Sequence, residues 1–300
     1  MEHRAKPELE KSIQIQRERL RLSRLLVEGT AATTQYRFGQ HVTAIDGTRV
    51  TLSNGMTETY DLIVGADGLH SGIRAIALGD ETKYLKHHGY RLAVFSHQNV
   101  LGLNGRTVMY SVPGRSLMMS ATRALLICAG GPLGRERTNP AVMRRMIGDA
   151  YRDLGWKTAD VLAALHDATD LYVDQIATVA IDRYASGRVV LLGDAAWGGT
   201  LGGQGTPLAI IGAYVLAGEL INARDDLALA LTRYEAVMRP YATRCQKGAE
   251  RVGSFFAPRT GFGLACRDLF YRAMTSRPLI ARFEKMVKAS ATAFQLPAYD

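Results

Sequence analysis

The chain has 300 residues, 47% of them hydrophobic and 22% charged, which is long enough for a sizeable core and too apolar for a disordered chain. The net charge of +9 is scattered among interspersed Lys, Arg, Asp and Glu, with no basic run interleaved with aromatics, so nucleic acid is not an expected partner. Cys128, Cys245 and Cys266 are far apart and form no C-x-x-C pair, which argues against a disulfide framework or a zinc site and for a reducing cytoplasm.

The charged start carries no apolar signal core. The longest apolar run, 208–218, is shorter than the roughly 20 residues a bilayer requires, so no membrane span is expected. Over 8–28, Ile13, Leu20, Leu22, Leu25 and Leu26 recur at helical spacing, with Gly29 as the expected C-cap. Strands are predicted at 36–45 and 49–52, with Asp46-Gly47 turning between them and Ser53-Asn54-Gly55 turning after. The apolar run 60–65 reads as a strand buried on both faces of a mainly parallel sheet. It ends in Asp67-Gly68, a turn dipeptide, with Ser71 placed to cap a helix and Arg74 on that helix.

From 84 to 129 the texture is β-branched and aromatic, split by Gly, Pro and Asn turns, and predicts an antiparallel sheet with strands near 91–95, 107–112, 117–120 and 124–128. His87-His88 lacks a metal-ligand pattern and reads as loop. Helices are predicted at 140–154 and 159–166, followed by a strand at 171–181. A second buried strand, 188–192, delivers Gly193-Asp194 into the glycine-rich loop 198–205, after which Thr206-Pro207 opens an apolar helix over 208–220. That helix is apolar nearly all round and is expected to be buried, with Gly212 and Gly218 packing close to the sheet. The rest reads as helix. Ligands of open α/β sheets sit outside the carboxyl ends of strands, glycines admit a flat ligand near the backbone, and a helix N-terminus offers free N–H groups. The simpler reading is an ordinary strand–loop–helix connection.

Asp67-Gly68-x-x-Ser71-x-x-Arg74 resembles the D-G-x-x-S-x-x-R motif of class A FAD-dependent monooxygenases, the group of para-hydroxybenzoate hydroxylase and the tetracycline-inactivating enzymes. Gly193-Asp194-Ala195-Ala196 with Gly203-Gln204-Gly205 is similar to their second FAD motif, 212–220 to the helix after it, and Arg19-x-x-Leu22-x-x-Leu25-Leu26 to the helix whose leading Arg reaches FAD. Together these cover most of the chain from Ile15 to Leu220. The resemblance implies an α/β fold with an FAD/NAD(P)-binding Rossmann-like sheet, an inserted antiparallel substrate sheet and C-terminal helices. It divides the chain into the first part of the FAD domain at 1–83, the substrate domain at 84–181, the second FAD part at 182–223 and a helical region at 224–300.

By the same resemblance FAD is the cofactor and NAD(P)H the co-substrate. Asp194 binds the ribityl chain, and Gly193 and Ala195 flank it. Gly203, Gln204, Gly205 and Thr206 lie beside the flavin ring. Asp67 and Gly68 sit where the pyrophosphate and NAD(P)H approach, Arg19 sits near the pyrophosphate or ribityl region, and Arg74 also belongs to the cofactor-binding set. The inserted sheet covers an aromatic or polyketide-like small molecule, for which Tyr110, Met118, Trp197 and Thr200 are the candidate contacts; no catalytic residue is assigned. Three departures stand out. There is no G-x-G-x-x-G near the start, so the ADP-binding unit is expected to be missing and a sheet edge open, to be covered by a homodimer or another partner. Trp197 replaces a frequent His, and Pro207 replaces a frequent Asn. The alternatives are an inactive truncated form, a non-redox binding protein or cofactor-free cyclase or isomerase on the same scaffold, and a subunit completed by a second chain.

Overall fold

A computed structural model describes residues 21–103, 105–199, 205–274 and 295–299. They divide into two compact units, one from 90–175 with 256–261 and the stretch up to 39, the other from 40–89, 176–255 and the residues from 262 on.

The first unit opens with helix α1 over 21–30. The helix runs two residues past the predicted end at Glu28, through the expected cap Gly29 to Thr30, whose hydroxyl donates to the Leu26 carbonyl at 2.7 Å. The unit holds most of a five-stranded sheet in the order β6-β7-β8-β5-β9, of which residues 85–89 and 176–179 are assigned to the second unit. Its strands are β5 (Leu85–Ser96), β6 (Val108–Val112), β7 (Arg115–Met119), β8 (Arg123–Ala129) and β9 (Tyr172–Val179). Alternation puts Phe95, Leu117, Met119 and Leu126 on one face, where they form a core with Ile147 and Tyr151 of α3 (Pro140–Tyr151) and Val161 and Leu165 of α4 (Thr158–Asp167). Asn139 caps α3 through the N–H groups of Ala141 and Val142. The Tyr151 hydroxyl, fully buried, donates to the carbonyls of Ser116 and Ile127 at 2.9 and 2.7 Å. His87 and His88, expected in a loop, lie inside β5.

In the second unit, β1 (Val42–Asp46), β2 (Arg49–Leu52) and β3 (Thr57–Thr59) form a small antiparallel sheet. The predicted strand at 36–45 is shorter than expected because Gly39, at φ 73°, bends the chain before it. A second sheet has the order β10-β11-β4, with β4 at Ile63–Gly65, β10 at Ala185–Ser186 and β11 at Val189–Leu191. Strands β4 and β11 are parallel, Ile63 opposite Val189 and Gly65 opposite Leu191. Here the expectation fails in one respect: β4 is not buried on both faces. Val64 is 39% exposed, and among the described residues β4 has β11 as its strand partner on one side only.

Helices α2 (Gly72–Leu78), α5 (Asp194–Trp197), α6 (Gly205–Ala223), α7 (Leu227–Ala249), α8 (Val252–Phe256) and α9 (Gly261–Met274) complete the described chain. Helix α6 is longer than the predicted 208–220, and by length and composition alone it reaches the size of a membrane-crossing helix. It packs along α7 within its unit. The expectation of complete burial is corrected: Ile210, Tyr214 and Ile221 are exposed. Gly212 meets Trp197 and Leu192, while Gly218 packs not on the sheet but under the Tyr299 ring. The Tyr299 hydroxyl donates to the buried Glu219 carboxylate at 2.9 Å.

Candidate functional site

The two strand ends that carry the sequence motifs lie side by side. Leu191 pairs with Gly65, and the Leu192 N–H donates to the Gly65 carbonyl at 2.9 Å. Parallel pairing therefore brings Asp67 and Asp194, 127 positions apart in the numbering, out of the same edge of one sheet. Gly65 has to be glycine, since a Cβ there would lie 2.7 Å from Leu191 Cδ2 and 2.8 Å from Ile73 Cγ2.

At the first strand end the side chains bond to one another. The Ser71 hydroxyl donates to Asp67 Oδ1, and the Ile73 N–H donates to Asp67 Oδ2 at 3.0 Å. Ser71 in turn accepts from the Arg74 N–H at 2.9 Å and caps α2, so the modest capping role expected of it holds. Arg74 is not an exposed helix residue. It is 0% exposed, and its guanidinium donates to the Ala195 carbonyl at 2.8 Å and the Leu69 carbonyl at 2.6 Å. Burial lowers its pKa below the ordinary arginine value, opposed by the nearby Glu81 and Asp67 charges. Its two terminal nitrogens are thus held by backbone carbonyls and tie the first motif to the second, while the buried Nε has no partner among the described residues.

The second strand end is arranged differently. Gly193 turns at φ 64° and is followed by the single turn of α5. The Asp194 carboxylate has no hydrogen-bond partner among the described residues. One side of it is open to solvent, yet enough protein crowds the other for burial to raise its pKa above the usual carboxylate value. Gly205 begins α6 nearby, its Cβ position 3.6 Å from Asp194 Oδ1, and Thr206 and Pro207 occupy the first turn, where an N–H has no intrahelical partner to lose. Asp194, Trp197, Gly199, Gly205, Leu208, Cys245, Gln246 and Ala249 line a crevice of about 20 Å³, room for a single water.

Trp197, a candidate substrate contact, is a lining residue of the crevice beside Asp194. It is 2% exposed and lies edge-on to Tyr184 at 5.1 Å, within a core that includes Tyr234 and Met238. Tyr110 is half-buried on β6 and stacks on Trp156 at 5.4 Å. Met118 is half-buried on β7, opposite Met109. Both belong to the sheet unit. Gly68, at φ 88°, follows Asp67. Arg19, Thr200, Gly203 and Gln204 lie outside the described residues.

Three contacts around the second strand end were not anticipated. The Val179 N–H donates to the Gly198 carbonyl at 2.9 Å, Thr178 bridges to Gly199, and Gln246 Nε2 donates to the Val179 carbonyl at 2.6 Å. The sequence holds one readable signal: Gln246 falls between Ala242 and Ala249 on the buried stripe of α7, where a polar side chain requires a partner.

Two adjacent parallel strand ends, one bearing an unpartnered carboxylate at a helix start, suit a polyol and a flat ring lying across the sheet edge. The comparisons agree. Residues 18–251 match the FAD binding domain family FAD_binding_3, and the chain belongs to this family of FAD-binding flavoproteins. A flavin-dependent monooxygenase from Legionella longbeachae is 31% identical over 282 residues, covering 90% of this chain and 70% of that protein. A flavin-dependent monooxygenase from an unknown prokaryotic organism is 33% identical over 203 residues, 65% of this chain and 52% of the other. The crystal structure of the tetracycline destructase Tet(51) superposes with a TM-score of 0.70 at 28% identity, covering 87% of this chain and 69% of that one. The chain thus spans between about half and seven tenths of the length of these relatives.

Proposed function

We propose that the chain forms the flavin-side part of an FAD-dependent, NAD(P)H-driven monooxygenase in the cytoplasm that hydroxylates an aromatic or polyketide-like small molecule. The observation that carries this reading is the Asp194 carboxylate at the end of β11, beside the Asp67 end of β4 and without a hydrogen-bond partner among the described residues. A carboxylate held at a strand end accepts hydrogen bonds from the hydroxyls of a ribityl chain. Redox chemistry, hydride acceptance from NAD(P)H and use of dioxygen, belongs to the bound cofactor. The protein's part is to orient and to polarise. Gly205 and Thr206 place the free N–H groups of the α6 start beside Asp194, where they favour an electron-rich carbonyl edge. Arg74 keeps the two strand ends in register, and Asp67 holds the start of α2. The likeness to a tetracycline destructase supports a fused-ring substrate, for which Tyr110, Met118, Trp197 and Thr200 are the candidate contacts.

The test is direct titration of the purified chain with FAD, followed by flavin fluorescence quenching and the visible flavin bands. Saturable binding that weakens in Asp194→Ala supports the reading, and no spectral change at excess FAD overturns it. Steady-state NADH or NADPH oxidation with dioxygen uptake, screened against phenols and tetracyclines, then identifies the donor and substrate class. A second reading is favoured by the exposed Val64 edge of β4: another polypeptide segment, from a second copy or a partner, pairs there. Sedimentation of wild type against Val64→Lys tests it, since a charge on that edge breaks such an association.

A further inference from the structure

We propose that His88, Thr178 and Gln246 clamp Gly198–Gly199, the first step of the glycine loop after Asp194, and so act as positioning residues for the flavin site. The inference rests on the flavin reading above for its function, but not for its geometry. The Thr178 side chain, 4% exposed, has its hydroxyl 2.9 Å from His88 Nε2, and its backbone bridges to Gly199. One residue on, the Val179 N–H holds the Gly198 carbonyl at 2.9 Å. From α7, Gln246 Nε2 donates to the Val179 carbonyl at 2.6 Å and lies 3.5 Å from the Gly198 carbonyl oxygen.

Sterics enforce the arrangement. A Cβ on Gly198 would lie 2.5 Å from the Asp194 carbonyl oxygen and 3.0 Å from Leu69 Cδ1, and one on Gly199 would lie 3.0 Å from Ala249 Cβ. Two glycines let a loop pass between a strand and a helix, but they also leave it with the greatest backbone freedom to lose. The clamp supplies the restraint that the glycines give up. Asp194 is four residues before Gly198, within the same tight turn, since the Gly198 N–H donates to the Asp194 carbonyl at 3.1 Å. A loop held at 198–199 therefore holds the carboxylate.

One member of the clamp titrates. Burial lowers the His88 pKa below the ordinary 6.5; Glu250 opposes this, and Lys86 and His87 reinforce it. Glu250, at the end of α7, pairs with Lys86 at 3.4 Å. The folded state thus prefers neutral His88, and its stabilising share is present above about pH 6.5 and lost as pH falls below it, because the unfolded chain takes the proton first. In the neutral form Nε2 has the choice of accepting from Thr178, whereas the imidazolium only donates, so acid changes the hydrogen bonding at Thr178.

The experiment has two arms on the full chain. Backbone amide hydrogen exchange without flavin compares wild type with Thr178→Val, Gln246→Leu and His88→Gln. Exchange at Val179 and Gly198 is expected to rise about three- to ten-fold in the first two, the loss of one net hydrogen bond each; unchanged exchange overturns the clamp. FAD titration across pH is the second arm. Thr178→Val, Gln246→Leu and His88→Gln are each expected to weaken affinity by a similar factor at neutral pH, and His88→Gln also to flatten the further loss on acidification; unchanged affinity in His88→Gln overturns its place in the clamp. Faster exchange with unaltered FAD affinity overturns the positioning role alone, and wild type that binds no FAD removes the flavin reading while the first arm still decides the clamp.

Discussion

The Asp67 and Asp194 strand ends are built from the same parts: a short strand, an Asp, a glycine with positive φ and a helix start. They are neighbours in one sheet. Yet Asp67 is satisfied from within, by Ser71 and the Ile73 N–H, whereas Asp194 has no such partner among the described residues and its pKa is pushed up by burial. The first is a structural cap. The second keeps acceptor capacity at a cost in stability, as functional sites commonly do. Two motifs that look equivalent in sequence therefore divide the labour, and Arg74 is the strut between them.

The largest break is expected at that strut. Arg74→Ala leaves the Ala195 and Leu69 carbonyls without their donor and opens a void in a fully buried position. Each unsatisfied group costs about 1–3 kcal/mol, so denaturant melts should show a loss of about 3–5 kcal/mol. A variant that melts like wild type would show that the two strand ends hold together without it. Asp194→Asn comes next, and its effects run in opposite directions. FAD affinity should fall about ten-fold or more, the range of a charge-assisted hydrogen bond, while stability should rise. The sign follows from the raised pKa. A carboxyl that holds its proton more firmly when folded contributes stability below its ordinary 3.8, and this is lost as pH rises through the folded value. The gain in melting temperature should therefore be present at neutral pH and vanish near pH 4. A fall in stability at pH 7 would place Asp194 in the same class as Asp67.

Asp67→Ala should reverse that pattern. Without the acceptor for Ser71 and Ile73 the α2 start is frayed, at about 1–2 kcal/mol, the usual scale of a lost cap, whereas FAD affinity measured under conditions where the variant stays folded should change far less than in Asp194→Asn. Equal losses of affinity would mean that the first carboxylate also reaches the cofactor.

Much of this was legible in the sequence because it depends on local pattern. Buried runs ending in Asp predicted both strands, alternation predicted the sheet at 84–129, and Pro and Gly placed the turns and the α6 start. What was not legible depends on long-range partners. Arg74 reads as an ordinary helix residue until Ala195, 121 positions on, is known to sit against it. Trp197 falls where the family's His would lie, but its ring size and apolarity suit the core beside Tyr184 and Gly212, and burying a Trp is worth several kcal/mol. Helix α6 is apolar enough to predict burial all round, yet only the stripe Leu208, Gly212, Val215, Leu216, Gly218 and Glu219 finds a surface to pack on. The clamp on Gly198–Gly199 joins β9, α7 and β5, three elements whose proximity no local spacing encodes; Gln246 alone betrayed it, as a polar residue on an apolar stripe.

The finest distinction between the two strand ends lies in their glycines. Gly68 has φ 88° with nothing within 4 Å of its Cβ position, and Gly193 has φ 64° with Ala209 Cβ at 3.4 Å. Alanine at Gly68 meets only the left-handed backbone penalty, about 1 kcal/mol. At Gly193, φ 64° with ψ −140° is a conformation almost confined to glycine, so the penalty is larger, on the order of 1–3 kcal/mol, and the new methyl touches Ala209 Cβ of α6 at 3.4 Å, next to the helix start that carries Gly205. Thermal melts should accordingly show a larger loss for Gly193→Ala than for Gly68→Ala. FAD titration should separate them, with a few-fold weakening for Gly193→Ala and little for Gly68→Ala. Equal affinities would mean that the α6 start is not coupled to the second strand end, and that Asp194 alone distinguishes the two.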